Sequence, residues 1–370
     1  MDEFTKQINL LGNCGKLVLK DNVLAVLSEI DLSTVSSAIY NGGFKKVKAI
    51  LNVQAPEEYS DLQLHENPQK LIIDSAKKLG LSENFVGMVT AAAIEKFALV
   101  SKKDGDLAVS VIATAVDPQG KTCSHAESAG ETIKVQEMTG TINIIIVIDG
   151  NPTESCLVST LLTATEAKTA ALWELDIRSR YSGDEATGTI TDAMIVAKTN
   201  RGAPIIYAGP ASKLGQLVGY CTRKAVKEAV MKATECLPHR SVIKRLSERH
   251  LPLEKLSSEL SKIDGLKVDE KTLAKILRNE PLFASVLLAA AKIDEDIKKE
   301  LIPFEFKNIN VLSENFGSLL SRQSRSDTKT PSGQARKKDY SSANLPPFLK
   351  HVLINMVKNA LSKEKTENLK

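Results

Sequence analysis

The sequence predicts a mixed α/β (α+β) domain followed by a smaller all-α domain. The run from Ile142 to Ile148 is β-branched except for Asn143, and such a run is typical of a strand covered on both faces. A polar turn at Asp149–Pro152 follows and starts a long helical segment. Beyond residue 237, apolar residues recur at helical three-and-four spacing, and no alternating strand pattern competes. With 370 residues the chain is long enough for two domains, each with its own core.

The elements of the first domain follow from these patterns in chain order. Short apolar, β-branched runs predict strands at Leu17–Leu19, Lys48–Asn52, Leu107–Thr114, Ile142–Ile148, Ala193–Thr199 and Ile205–Ala208. Helical spacing predicts helices at Thr34–Tyr40, Gln69–Leu79, Asn84–Phe97, Glu154–Leu175 and Ser212–Glu235. In the second domain, the same spacing predicts helices around Ser241–Arg249, Leu253–Ile263, Lys271–Leu277, Leu282–Ala291 and Phe348–Leu361.

The predicted boundary separates residues 1–236 from residues 237–370. It falls near Leu237–Arg240, where a basic amphipathic helix ends and Pro238 interrupts the pattern. Inside the second domain, residues 321–344 are rich in Ser, Arg, Lys and Gly and almost free of large apolar residues, which predicts a basic, solvated loop or linker. No aromatic platform accompanies its charge, so nucleic-acid binding is not expected.

Composition excludes several classes of protein. The hydrophobic content of 42% and the charged content of 25% are ordinary for a globular protein. No signal or membrane-spanning segment is recognisable, so we expect a cytoplasmic protein without membrane contacts; an oligomer remains possible. Five scattered cysteines without a CxxC pair, and five dispersed histidines, predict neither a disulfide framework nor a metal site. Without a GxGxxG or P-loop motif, no nucleotide cofactor is expected.

The helix predicted at Glu154–Leu175 combines polar and apolar residues in an unusual way. On a helical projection Thr165 shares one face with Val158, Leu161, Leu162, Thr169 and Leu172. Lys168 and Glu166 flank that face, and three alanines occupy the far side. We expect this helix to be buried all round, so its polar side chains need partners and predict a polar pocket. The alternative is that the threonines bond back to carbonyls of the preceding turn and Lys168 extends to water.

Several separated motifs carry a resemblance to a known family. They are Leu32–Gly43, Phe85–Ile94, Thr163–Leu172, Arg178–Gly183, Ala186–Asp192 and Tyr207–Gly219. In this order they resemble the adenosylcobinamide amidohydrolases of corrinoid salvage, over about residues 15–235. The resemblance implies hydrolysis of the amide that joins adenosylcobyric acid to aminopropanol, with the corrinoid entering as substrate and no separate cofactor. One segment departs from the family: Lys121–Glu131 has His125 near where the family has Asn.

Amide hydrolysis needs a nucleophile, donors for the oxyanion and an acid for the leaving amine. The sequence has no GxSxG elbow and no Cys/His pairing at recognisable spacing. Our hypothesis is that side chains of the long helix converge with those of Ala186–Asp192 around the scissile amide. The predicted catalytic residues are Lys168, Glu166, Thr165, Thr189 and Asp192, with Lys168 or Glu166 transferring the proton. The predicted substrate-binding residues are Asn52, Asn143, Asp149, Thr169, Ser182 and Thr187.

Two alternatives stay open for this domain. Thr141 or Thr189, each preceded by glycine, could become an N-terminal nucleophile through self-cleavage. The chain could also be a corrinoid-binding protein without catalysis.

The second domain carries a resemblance of its own. Ile263–Leu273, Phe283–Glu295 and Leu345–Leu353 are similar to archaeal α-ribazole-phosphate phosphatases and to phosphatidylglycerophosphatase A. Lys350 and His351, however, occupy positions where those enzymes carry paired aspartates, and Ser313 with Glu314 keeps one carboxylate of a second pair. Cations at magnesium-ligand positions repel the metal, so we predict a degenerate, inactive domain. The alternative is a bifunctional protein that also dephosphorylates α-ribazole 5′-phosphate or adenosylcobalamin 5′-phosphate.

Overall fold

The structure is a computed structural model that describes residues 6–10, 15–56, 67–117, 126, 140–234, 240–263, 266, 268–279, 281–302 and 344–367. The chain divides into two compact units, Met1–His239 and Arg240–Lys370. The first is mixed α/β and the described part of the second is helical, as the sequence predicts. The basic stretch at 321–344 lies outside the described residues except for Asn344, and His125, Ser313 and Glu314 lie outside them as well.

In the described part of the first unit, most strands belong to one large sheet, and two long helices accompany it. Its strands are β1 (Lys6–Leu10), β2 (Gly15–Lys20), β3 (Val23–Ser36), β4 (Gly43–Gln54), β5 (Phe85–Thr90), β6 (Ala98–Asp104), β7 (Leu107–Ala115), β8 (Ile142–Asp149), β9 (Asn151–Pro152), β10 (Ala193–Lys198) and β11 (Pro204–Ile205). Its helices are α1 (Pro68–Lys78), α2 (Glu154–Glu174) and α3 (Lys213–Ala233), with a short 3-10 helix at Ile94–Lys96.

The described strands of the large sheet follow the order β1-β2-β3-β10-β8-β7-β6, and β4 and β5 branch from β3. Strand β3 is long enough to pair with more than two strands, and its register with β4 shifts between Leu27 and Leu32. The first part of β3 therefore pairs with β2, and its last part pairs with β10. Strands β8 and β10 are parallel neighbours, so their N-terminal ends lie side by side.

Strand β8 lies between two apolar layers, which confirms the prediction from its β-branched run. Its even-numbered isoleucines, from Ile142 to Ile148, pack in the core that includes α2 and α3. Ile145 and Val147 point to the other face, into the core that includes β3 and β4. Because side chains alternate along a strand, Asn143 faces this second layer.

Helix α2 is not buried all round, so that expectation is wrong. Its buried side carries small residues, among them Cys156, Thr160, Ala164, Ala167 and Ala171. The face with Val158, Leu162 and Trp173 is open, and these side chains are 42%, 63% and 51% exposed. Small residues occupy the buried side because they let the neighbouring backbone approach the helix closely. The hydrogen bond from the Thr163 hydroxyl to the Ala208 carbonyl, at 2.7 Å, is an example of this close approach.

Two helix predictions in the first unit are wrong. Thr34–Ser36 continue β3, and the segment predicted as a helix at Asn84–Phe97 forms β5 and the short 3-10 helix. The end of β3 is held between β4 and β10, and β5 pairs in parallel with β4. Pairing on the sheet outweighs the helical spacing, which arose from burial on both faces. The strand predicted at Ile205–Ala208 shortens to Pro204–Ile205, paired with β9.

The second unit is built from the predicted helices around one apolar core. They are α4 (Val242–Glu248), α5 (Leu253–Ser261), α6 (Glu270–Asn279), α7 (Pro281–Lys298) and α8 (Pro347–Glu367). Asp294 of α7 caps the start of α8, since its carboxylate accepts the backbone N–H groups of Phe348 and Leu349 at 2.9 and 2.8 Å. In the part of the chain that is described, no helix has both the length and the apolar surface to cross a bilayer.

Candidate active site

A polar cluster lies where the parallel strands β8 and β10 begin. Helix α2 starts after the far end of β8 and runs back along the sheet, which brings Lys168 to this end. Asp192 immediately precedes β10, and its side chain meets the ammonium of Lys168 in an ion pair. The side chains of Lys168 and Asp192 are 11% and 15% exposed, so the pair is sheltered from solvent but not fully buried.

Asp192 is the centre of this cluster because its carboxylate accepts four hydrogen bonds. Oδ2 accepts from Lys168 Nζ and from the backbone N–H of Thr189 at 3.2 Å. Oδ1 accepts from the Thr189 hydroxyl and from the backbone N–H of Ile142 at 2.9 Å. One carboxylate thus orients a cation and a hydroxyl, and each bond to the charged group is stronger than a bond between neutral groups.

Gly188 makes room for the ion pair. A Cβ at this position would lie 2.6 Å from Asp192 Oδ2 and 2.8 Å from Lys168 Nζ, closer than real Cβ atoms approach such groups. The backbone of Gly188 also pairs with Ala126, whose N–H donates to the Gly188 carbonyl at 3.0 Å. Part of the motif Lys121–Glu131 therefore contacts the cluster through Ala126.

Thr169 and Thr187 lie beside the cluster. The Thr169 hydroxyl donates to the Thr187 carbonyl at 3.2 Å, which ties α2 to the segment that carries Gly188 and Thr189. Both threonines are half-buried. The structure thus brings together Lys168, Thr169, Thr187, Thr189 and Asp192 of the predicted site.

Thr165 and Glu166 do not join the cluster, which corrects their predicted placement. Both are exposed on the open face of α2. The Thr165 hydroxyl bonds back to the Leu161 carbonyl at 2.8 Å, the alternative that the sequence left open. Lys168 is on the inner side of the helix, so it is the proton-transfer candidate that remains.

Asp149 and Ser182 are also placed elsewhere. Asp149 ends β8, while the cluster lies at its start, a separation on the order of 20 Å at the rise of an extended strand. Its carboxylate accepts from the Thr199 hydroxyl at 2.9 Å. Ser182 is exposed, and its hydroxyl accepts the backbone N–H of Asp184 at 3.0 Å, so it stabilises a turn.

Asn52 and Asn143, predicted to bind substrate, are buried with 1% exposure each and lie inside the core beside the cluster. Asn143 Nδ2 donates to Asn52 Oδ1 at 2.8 Å and to the Val89 carbonyl at 2.9 Å. Asn52 Nδ2 donates to the Thr114 hydroxyl at 2.9 Å. Their amides bond to protein groups inside the core. No sequence motif includes Thr114, and its one sequence signal is a polar residue at the end of an apolar strand.

The arrangement has the elements of nucleophilic catalysis. A hydroxyl donates to a carboxylate, and the same carboxylate holds an ammonium that can protonate a leaving group. Within the described ranges no three His, Cys, Asp or Glu side chains gather as a metal-binding group.

A separate pocket of about 560 Å³ lies near the other end of β8. Its lining includes Gly150, Arg201, Tyr207, Ser212 and Lys213. Of the predicted site residues, only Asp149 lies near it: Arg201 Nη1 is 3.8 Å from the Asp149 carboxylate.

Comparison with known proteins gives a match over most of the first unit. Residues 13–238 match the family described as adenosylcobinamide amidohydrolase. An adenosylcobinamide amidohydrolase of Methanosarcina mazei is 30% identical over 220 residues, which are 56% of this chain and 94% of that protein. An uncharacterised protein of Methanocaldococcus jannaschii is 27% identical over 206 residues, 51% of this chain and 79% of that protein.

Among solved structures, the match to a protein from Pyrococcus horikoshii covers 62% of this chain and 83% of the chain of that protein. It shares 12% identity with a TM-score of 0.32, too low to support an argument about fold or function.

Proposed function

The chain belongs to the adenosylcobinamide amidohydrolase family, a group of hydrolases that act on an amide bond, and we propose that it cleaves the amide between adenosylcobyric acid and aminopropanol. The products are adenosylcobyric acid, which can re-enter coenzyme synthesis, and free aminopropanol. The matched residues stop at 238, so the proposal concerns the first unit and gives no support to a phosphatase role of the second.

The observation that carries the proposal is the sharing of Asp192 between Lys168 and Thr189. All three side chains lie within the matched residues and at a partly open surface. Thr169 and Thr187 border this surface and are the residues we assign to the bound substrate.

In the proposed mechanism the Thr189 hydroxyl adds to the amide carbonyl carbon and passes its proton to Asp192. The carbon–nitrogen bond then breaks as the Lys168 ammonium protonates the departing amine. The proton on Asp192 returns to Lys168. Water hydrolyses the ester on Thr189, which releases the acid and restores the hydroxyl.

The test is incubation of the purified chain with adenosylcobinamide and detection of adenosylcobyric acid by mass spectrometry. Lys168→Met and Asp192→Asn are each expected to lower kcat by about 100-fold or more, since each removes a group that acts in proton transfer. Thr165→Val is the matched control on the same helix, and it should keep full activity because this hydroxyl bonds only its own helix. Full activity of Lys168→Met would remove Lys168 from the mechanism, and tight corrinoid binding without hydrolysis would favour a non-catalytic binding protein.

A further inference from the structure

A chain of buried hydrogen bonds starts beside the candidate site and links the start of β8 to β4 and β7. The Thr141 hydroxyl lies 3.0 Å from Asn143 Oδ1, one of the two acceptors within reach of its single proton. Asn143 donates to Asn52, and Asn52 donates to Thr114. The four side chains are between 1% and 2% exposed, so the chain runs through the protein interior.

Burying four polar side chains in an apolar core has little stabilising value. A satisfied internal hydrogen bond contributes little net stability because it replaces hydrogen bonds to water, and apolar side chains of the same shape are often equally good. The value of such a chain is geometric, because each member has one favourable partner and one favourable orientation.

The geometry that this chain controls is that of Asp192. Ile142, the residue between Thr141 and Asn143, donates its backbone N–H to Asp192 Oδ1 at 2.9 Å. The Thr141 hydroxyl also lies 2.8 Å from the carbonyl of Thr191, the neighbour of Asp192. Thr191 in turn donates its hydroxyl to the Gly140 carbonyl at 3.0 Å. The start of β8 and the segment that carries Asp192 are therefore joined at several points, with Thr141 at the junction.

We infer that Thr141 is a positioning residue for amide hydrolysis: together with Asn143 and Asn52 it holds the Asp192 carboxylate, and through it Lys168 and Thr189, in the reactive arrangement. This inference rests on the proposed function. It gives the two asparagines a role that does not require contact with substrate. It also uses the Thr141 hydroxyl in an internal hydrogen bond, in contrast to the self-cleavage hypothesis, which needs that hydroxyl as a nucleophile.

The experiment compares Thr141→Val with Thr34→Val. Both threonines lie in the first unit, are 2% and 1% exposed, and donate to a carbonyl; Thr34 bonds Lys45 on the neighbouring strand at 3.1 Å. Val replaces the hydroxyl by a methyl group of similar size, so the two variants should lose similar stability in thermal denaturation. Thr141→Val is expected to lower kcat for adenosylcobinamide by about 10- to 100-fold, with KM within about threefold, as displacement of reacting groups does. Thr34→Val should keep its kcat, and Thr141→Ser should restore most of the lost rate.

A second readout does not need turnover. Lys168 is acetylated with acetic anhydride and quantified by peptide mass spectrometry in each variant. Release of Asp192 should make Lys168 react severalfold faster in Thr141→Val and leave it unchanged in Thr34→Val. Equal labelling in both variants, or equal loss of kcat in both, would overturn the inference. If the wild-type chain shows no hydrolysis while the labelling difference is found, the proposed function fails, whereas the structural part of the inference, that Thr141 holds Asp192 against Lys168, is supported.

Discussion

At the scale of single residues, Gly188 shows how one missing side chain creates a site. The ion pair of Lys168 and Asp192 occupies the space that any other residue would fill with its Cβ. In the sequence this glycine lies within the motif Ala186–Asp192. Its steric reason depends on Lys168, which is distant in sequence.

Gly188→Ala should therefore disrupt the site. The added methyl group would displace the carboxylate or the ammonium, and we expect hydrolysis to fall by about 100-fold. Gly219→Ala is the matched control, because no atom lies within 4 Å of the Cβ it would add and alanine favours the helix. Kinetics with adenosylcobinamide, together with thermal denaturation of both variants, measure the effect. Unchanged kcat in Gly188→Ala would show that the ion pair is not needed for turnover.

The two described cysteines allow a second prediction. Burial raises the pKa of the Cys221 thiol to about 11, and burial also raises the pKa of Cys156, partly offset by nearby Lys198. Reaction with iodoacetamide requires the thiolate and access to it. At about pH 8, both thiols should stay unlabelled in the folded chain and react fully in urea, as peptide mapping will show. Rapid native labelling of Cys221 would mean that α3 opens from the sheet.

At the scale of elements, the failed helix predictions have a common cause. Phe85–Thr90 and Thr34–Ser36 are buried along most of their length, and short segments of this kind fit a helix and a buried strand equally well. Their partners on β4 and β10 decide between the two. Helix α2 shows the converse: its existence followed from local pattern, while its buried side was decided by close packing of small residues.

The contact between α7 and α8 predicts a pH dependence. Burial raises the pKa of Asp294, although the two N–H groups that it caps and nearby His351 oppose this effect. Between the ordinary carboxyl pKa of about 4 and the raised value, the folded state holds more protons than the unfolded state. The free energy of unfolding of the second unit therefore falls as pH rises through this range.

Asp294→Asn removes this dependence. As pH rises from about 4, the unfolding free energy of the wild type should fall relative to that of Asp294→Asn. Urea denaturation at several pH values measures both free energies. Asp296→Asn is the control: it removes a carboxylate from the same helix, one that pairs with Lys292 at 2.8 Å and does not cap α8. This variant should keep the pH dependence that Asp294 causes. A difference that does not change with pH would show that Asp294 titrates alike in both states.

At the scale of the whole molecule, the chain has two units with separate cores, and a different activity is considered for each. The family match places amide hydrolysis in the first unit. The degenerate phosphatase predicted for the second unit remains a prediction, and the described residues supply a physical reason for it. The carboxylate of Asp294, in α7, already accepts two N–H groups at the start of α8, and the cationic Lys350 and the histidine His351 follow them in α8.

The full chain is therefore expected to release no phosphate from α-ribazole 5′-phosphate in the presence of magnesium. Magnesium needs carboxylate oxygens that are free to coordinate it, and cationic neighbours weaken its binding. Phosphate is measured with and without a chelator, and an active phosphatase serves as positive control. Magnesium-dependent release above the chelated sample would restore the bifunctional alternative.

What the sequence determined by itself was local. The β-branched run predicted β8, and helical spacing predicted α2, α3 and the helices of the second unit. The motifs supplied Lys168, Thr189 and Asp192 as candidate catalytic residues, and that role stays a prediction. The tertiary structure alone decided that Thr165 and Glu166 face solvent, that Asp149 lies at the far end of β8, and that Asn52 and Asn143 bond each other. The physical reason is separation along the chain. Polarity and periodicity depend on neighbouring residues and can be read from the sequence, whereas these contacts join distant residues. Asn52 and Asn143 are 91 residues apart, and Thr141 and Thr191 are 50 apart.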